Sequence, residues 1–220
     1  MASRIVTVAQ SKGGAGKTTV AVQLATVMQA TGLDVCVIDV DPQGSLSRWF
    51  EERQRRRDGA DRLVLAKTGG WRLGVELSRL VRDFPFVVVD TPPHADTDLK
   101  AAIRAATLVL VPCQPSPLDV WASRPTLEIA RSEGRTIRFL MNRVPPRSRA
   151  IEEAGTALAE LGAVPLDAQL GNRQSYVAAM ARGLGVIEHE PRGTAAQEVL
   201  ALRAEIDRVS GPELAKGSAQ

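Results

Sequence analysis

Short runs of aliphatic, β-branched residues recur through this chain with helical patterns between them, and their composition narrows the fold more than any other feature. The runs are RIVTVAQ (4–10), DVCVID (34–39), RLVLA (62–66), FVVVD (86–90), LVLVP (108–112), IRFLMN (137–142) and, more weakly, AVPL (163–166). Successive side chains on a strand point to opposite faces, so a run that is apolar at consecutive positions must be covered on both sides. The stretches between the runs have helical spacing; in TTVAVQLATVMQAT, Val20, Leu24, Val27 and Met28 share a face. The expected fold is therefore a doubly wound α/β domain, a mostly parallel sheet with helices on both faces. Ligands of such sheets bind beyond the carboxyl ends of the strands.

The chain has 220 residues, 44% hydrophobic and 24% charged, which suits one domain over residues 1–210, with GPELAKGSAQ (211–220) as a tail expected to be frayed or disordered. Cys36 and Cys113 lie in or beside apolar runs and read as buried, reduced core residues rather than a disulfide or metal pair. MASRIVTVAQ enters a strand pattern at once, without the apolar stretch of a signal peptide, and no apolar run approaches a membrane span. A net charge of +3 permits a polyanionic partner without requiring one.

The first run feeds into SKGGAGKTT and then a helical pattern. G-x-x-x-x-G-K-[ST] is met at Gly16, Lys17 and Thr18, but Ser11 stands where the first glycine belongs, and an additional lysine, Lys12, follows it. Gly13, Gly14, Ala15 and Gly16, with Thr19, would bind the nucleotide by backbone N–H groups converging on its phosphates, Lys17 would reach the β- and γ-phosphates, and the Thr18 hydroxyl would ligate Mg²⁺. A glycine-rich turn with exposed lysines is the plainer alternative. Asp90 closes FVVVD, where it would be poorly tolerated without a partner and can hold a hydrated Mg²⁺ in the Walker B position. Asp39 and Asp41 close DVCVIDVD: Asp39 as metal support, Asp41 to orient water on the γ-phosphate, with an ordinary Asp-Pro turn as the alternative for Asp41.

KGGAGKTT, VIDVDPQGSLSRW, VVVDTPP, VPCQPSPLDVWA and FLMNRV, in this order, resemble the ParA/MinD family of deviant Walker A ATPases, and PSPLD and NRQSYVAAM resemble its small ParF-type plasmid-partition members. The likeness runs from about residue 4 to 209. It implies a P-loop NTPase fold, ATP and Mg²⁺ as ligands, and slow, partner-stimulated hydrolysis of ATP. It implies an ATP-sandwich homodimer in which Lys12 crosses to the phosphates of the other subunit and the segment Pro112 to Asp119 meets the partner. By the same resemblance Asn142 would bond the adenine edge. Arg173, with Arg182, Arg192 and Arg203, would bind DNA without sequence preference, and a ParB/ParG-like adaptor would stimulate hydrolysis. The protein would be cytoplasmic and nucleoid-associated, without a membrane partner. A MinD-like membrane cycle would need an amphipathic helix where only SGPELAKGSAQ follows Val209. An iron–sulfur reductase would need bridging cysteines, and DPQG and PSPLD count against a small-molecule kinase. The basic run Arg53, Arg55, Arg56 and Arg57 reads as a solvated helix face or partner site, and His94 as a surface residue. Plasmid, chromosome and protein assemblies such as a chemosensory array or carboxysome all remain open as cargo.

Overall fold

In a computed structural model describing residues 3–56, 61–93, 97–147 and 149–210, the apolar runs pair into one sheet. β1 (Arg4–Val8) leads into α1 (Lys17–Gln29), β2 (Val35–Asp39) into α2 (Ser45–Arg56), β3 (Leu63–Lys67) into α3 (Gly70–Asp83) and β4 (Phe86–Asp90) into α4 (Thr97–Ala105). β5 (Leu108–Cys113) is followed by the short α5 (Pro117–Trp121) and by α6 (Arg124–Ser132), then β6 (Ile137–Val144) and α7 (Ala150–Glu160). β7 (Pro165–Gly171), α8 (Gln174–Met180), α9 (Val186–His189) and α10 (Thr194–Val209) complete the described chain. The strand order is β3-β2-β4-β1-β5-β6-β7, and every pairing is parallel.

The two phases of each central strand fill different cores. Val6, Val8, Val35, Val37, Phe86, Val88, Leu108 and Leu110 pack under α1 and α10. On the opposite face Cys36, Ile38, Val87 and Val89 meet Leu73, Leu77 and Leu80 of α3, while Val109, Val111, Phe139 and Met141 meet residues of α4, α6 and α7. Each fully buried valine or leucine contributes about 1.5–3 kcal/mol, which is why the doubly apolar runs are so strong a signal. The cysteines belong to this core: burial pushes the Cys36 thiol up to about 12 and Cys113 to about 11, so neither ionises near neutrality. Among the described residues no helix is long and apolar enough to cross a membrane.

Two expectations need correction. The last strand is Pro165–Gly171 rather than 163–166; it alternates, burying Leu166, Ala168 and Leu170 while Asp167 faces out, because β7 is an edge strand. Helix α1 buries Val20, Leu24, Val27 and Met28 as expected, and also Ala21, Val22, Gln23, Ala25 and Thr26, because α9 and α10 cover the side turned away from the sheet. Finally, Arg53 does not belong to a solvated face. Its side chain is wholly buried, while Arg55 and Arg56 are exposed; Arg57, His94 and the tail 211–220 lie outside the described residues.

Arg53 joins four parts of the fold. Its guanidinium donates to both carboxylate oxygens of Glu188 at 2.9 Å, to Asp61, to the Gln29 side chain at 2.9 Å and to the Gly183 carbonyl at 3.1 Å, and it lies 5.4 Å from the Trp49 ring centre. Burial opposes its charge, but Glu188 and Asp61 outweigh burial and hold it above the usual arginine range. Gly183, at φ 65°, lies against the Arg53 backbone so closely that any side chain there would collide with it. Arg53→Met should therefore cost about 3–5 kcal/mol in chemical denaturation, because it removes the buried charge around which the Glu188 and Asp61 carboxylates are paired. Arg55→Ala, which removes only an exposed pair with Glu52, should stay within about 0.5 kcal/mol of the parent.

Candidate functional site

Parallel register brings the carboxyl ends of β1, β4 and β2 to one level. Val8 is paired with Asp90, and Asp90 with Asp39. The glycine-rich loop leaves β1 at this point and enters α1, which starts after Gly16 in the left-handed conformation, φ 90°. Only glycine fits there, because a Cβ would run into the Asn142 amide.

Thr18 Oγ1 donates to Asp90 Oδ2 at 2.7 Å. Asp90 is buried, and its other oxygen, Oδ1, is buried without a hydrogen-bond partner. Burial pushes its carboxyl up to about 7; the Thr18 bond and Lys17 oppose the rise, and Asp39 and Asp41 add to it. Lys17 is also buried, which pulls its ammonium below the usual lysine range against the attraction of Asp90 and Asp41. A cation would relieve this arrangement. The donors, a hydroxyl and a carboxylate with an orphaned oxygen, are the hard oxygen ligands that Mg²⁺ takes beside substrate phosphates. Among the described residues no group of three His, Cys, Asp or Glu side chains forms a metal cage.

Asp39 is occupied differently from the metal-supporting role expected for it. Its Oδ2 accepts the Ser47 backbone N–H at 2.9 Å and the Ser47 hydroxyl at 2.6 Å, and Oδ1 accepts the Asp41 N–H at 3.2 Å. It anchors the first turn of α2 and the DPQG loop beside Asp90. Asp41 is half-buried and closes its own turn by accepting the Gln43 N–H at 2.9 Å, yet it stays close enough to act on the charges of Lys17 and Asp90. The plain turn and the site position therefore coexist. A cleft of about 400 Å³ opens beside this loop between Asp39, Pro42, Ser47, Lys67 and Asp98.

The glycine loop is braced by residues that the sequence reading missed. Gln10 donates to the Ser123 hydroxyl at 2.6 Å, the Ser11 N–H to Thr126 Oγ1 at 3.2 Å, and Ser11 Oγ to the Ala122 carbonyl at 3.0 Å. Lys12 Nζ meets Asp119 Oδ1 at 2.8 Å, within one chain. Buried hydroxyls at the start of α6 were the available signal, but nothing local says which loop they reach. Asn142 also braces: its Nδ2 donates to the Ala15 carbonyl at 2.8 Å, and its Oδ1 accepts the Arg143 N–H at 3.0 Å. Asn142 also lines the adjoining cleft of about 370 Å³, whose walls include Thr19, Asn172, Arg173, Tyr176 and Met180.

Arg173 lines that cleft rather than an outer helix face. It pairs with Glu198 at 2.6 Å, and Glu198 also accepts the Gly171 N–H and the Tyr176 hydroxyl. Arg182 contacts His189 Nδ1 at 3.3 Å, Arg203 pairs with Asp207 at 2.9 Å, and exposed Arg192 has no ion pair among the described residues. These four arginines are not gathered into one unpaired patch.

Residues 6–187 match the family described as CobQ/CobB/MinD/ParA nucleotide binding domain. The protein named Maintenance of carboxysome distribution protein A in Gloeobacter kilaueensis is 37% identical over 212 residues, covering 93% of this chain and 94% of its own. Its namesake in Halothiobacillus neapolitanus is 30% identical over 197 residues, covering 87% and 90%. The septum site-determining protein MinD of Pyrococcus horikoshii, solved with Mg-ADP, superposes with a TM-score of 0.80 at 19% identity over 95% of this chain and 98% of its own, a likeness of fold.

Asn142→Ala should weaken ATP and GTP together by about 1–3 kcal/mol, because it leaves the Ala15 carbonyl without its donor. Nucleotide titrations followed by calorimetry would read this directly. Any further loss confined to ATP measures a contact of the remaining N–H with the base.

Proposed function

Since the chain belongs to the CobQ/CobB/MinD/ParA nucleotide-binding family, we propose that it is a magnesium-dependent ATPase switch that dimerises around ATP, binds DNA without sequence preference and positions a cargo. The observation that carries this reading is the Thr18–Asp90 contact with its orphaned carboxylate oxygen, set beside buried Lys17 at the mouth of the glycine loop.

Thr18 and Asp90 would hold the Mg²⁺, which when bound neutralises charge on the β- and γ-phosphates. Backbone N–H groups of residues 13–19 and the Lys17 ammonium bind and orient the phosphates. Asp41 positions the attacking water, a task for which alignment matters more than basicity because the transition state is loose. Asp39 holds Asp41 through the Asp41 N–H and α2 through Ser47. Asn142 braces the loop and offers its remaining N–H to the base.

Lys12 stands at the rim with its side chain 43% exposed, held by Asp119. Leu118 and Trp121 flank that pair at 70% and 51% exposure, an unusual pairing of large apolar groups beside a charged loop. A second subunit brought over this rim would cover both and give Lys12 a stronger partner, the triphosphate, in place of Asp119. ATP is then the link between subunits, since two lysine-bearing loops repel without it. The names of the two relatives that align along nearly the whole chain support cargo positioning as the broad role, and a protein microcompartment fits that role as readily as a plasmid. An adaptor belonging to the cargo would stimulate hydrolysis and reset the switch.

Light scattering should show a dimer with ATP and Mg²⁺ but not with ADP, and Lys12→Ala should remain monomeric while still binding nucleotide; equal dimerisation of the two proteins would sink the trans-lysine role. Asp41→Ala should bind ATP and dimerise but hydrolyse it on the order of a hundredfold more slowly, from lost alignment alone. Phosphate release at the parental rate would remove Asp41 from the mechanism.

A further inference from the structure

Most arginines on the C-terminal helices already have an acid beside them: Arg173 has Glu198, Arg203 has Asp207 and Arg208 has Glu205. The loop from β6 to α7 is different. Arg143, Arg147 and Arg149 are all exposed there, and among the described residues none of them forms an ion pair. Glu152 and Glu153, in the first turn of α7, are exposed and pair with none of the three.

Two described residues of this loop have an uncommon backbone conformation. Arg143 and Arg147, at φ 54° and 57°, are the only non-glycine residues at positive φ among those described, and Pro145 and Pro146 lie between them. The Asn172 N–H ties the loop root to β7 through the Val144 carbonyl at 2.9 Å. Left-handed backbone at bulky residues persists only where the surroundings impose it, and such positions cluster at functional sites. The loop also grows directly out of the nucleotide site: the Arg143 N–H is bonded to Asn142, and Asn142 to the Ala15 carbonyl of the phosphate loop.

We propose that the β6–α7 loop is a contact surface for the phosphate backbone of duplex DNA, with Arg147 and Arg149 as its contacts, coupled to bound nucleotide through Asn142. The proposal rests on the DNA-binding reading above and moves the contact away from the C-terminal helices. An unpaired guanidinium can take a phosphate in bidentate fashion without first breaking an internal pair. Backbone contacts carry no sequence information, so affinity should be equal for unrelated duplexes and should fall with salt.

Fluorescence anisotropy on two unrelated labelled duplexes, with Mg-ATP and with Mg-ADP, would test this between about 50 and 200 mM salt. The proteins are the parent, Arg147→Glu/Arg149→Glu and the milder Arg147→Gly/Arg149→Gln, which removes both charges while suiting the left-handed backbone. Both variants should lose at least about tenfold in affinity in Mg-ATP, and the slope of log K against log salt should shrink by about two, near 0.9 for each lost phosphate contact. ATP-driven dimerisation should be unchanged, and Arg203→Glu should have a far smaller effect. Parental slopes in both double variants would overturn the proposal while leaving DNA binding itself intact. Loss of dimerisation with nucleotide binding retained would assign the loop to the subunit interface and overturn it as well. A parent protein that binds neither duplex would overturn the DNA-binding reading, and this surface with it.

Discussion

Asp39 and Asp90 sit side by side because β2 and β4 run parallel and in register, and the site is arranged around that juxtaposition. Two carboxylates at the buried edge of a sheet repel each other and lose hydration, a combination tolerated only if each has partners. Asp39 has Ser47 and the DPQG backbone; Asp90 has Thr18, the nearby ammonium of Lys17, and one oxygen with nothing. That oxygen is a buried acceptor without a donor, and a bound cation would satisfy it.

The glycine loop has few side chains of its own to hold it, and its order comes from neighbours. Bonds from Gln10 and Ser11 tie its entry to α5 and α6, Asn142 ties its middle to β6, and Lys12 ties its outer edge to Asp119. Amides fixed in advance bind anions without a reorganisation cost, which is the use of so much bracing around glycine.

Arg53 plays the corresponding part for α2. That helix is fastened to the site at its first turn by Ser47 and Asp39, and near its far end by Arg53 to Glu188, Gln29 and Asp61. It is therefore a strut between the DPQG loop and the segment around α9, and displacement at one end must be accommodated at the other.

The fold class and the phosphate loop were legible from local pattern, because both depend on short-range chemistry. A strand buried on two faces has to be apolar at consecutive positions, and a backbone that wraps phosphate has to be glycine-rich between a strand and a helix. Strand β7 was the exception, since an edge strand needs only alternation. What the primary structure left open were matters of partnership between distant residues. Arg53 and Arg55 are indistinguishable in the string ERQRR, yet Arg53 meets Glu188, 135 residues away, and is buried, while Arg55 meets its own helix and is not. Lys12 finds Asp119, Asn142 finds Ala15 and Arg173 finds Glu198 by the same kind of long-range contact. Charge, burial and hydrogen bonding at these positions are properties of the packed sheet and its covering helices, so only the tertiary structure could assign them.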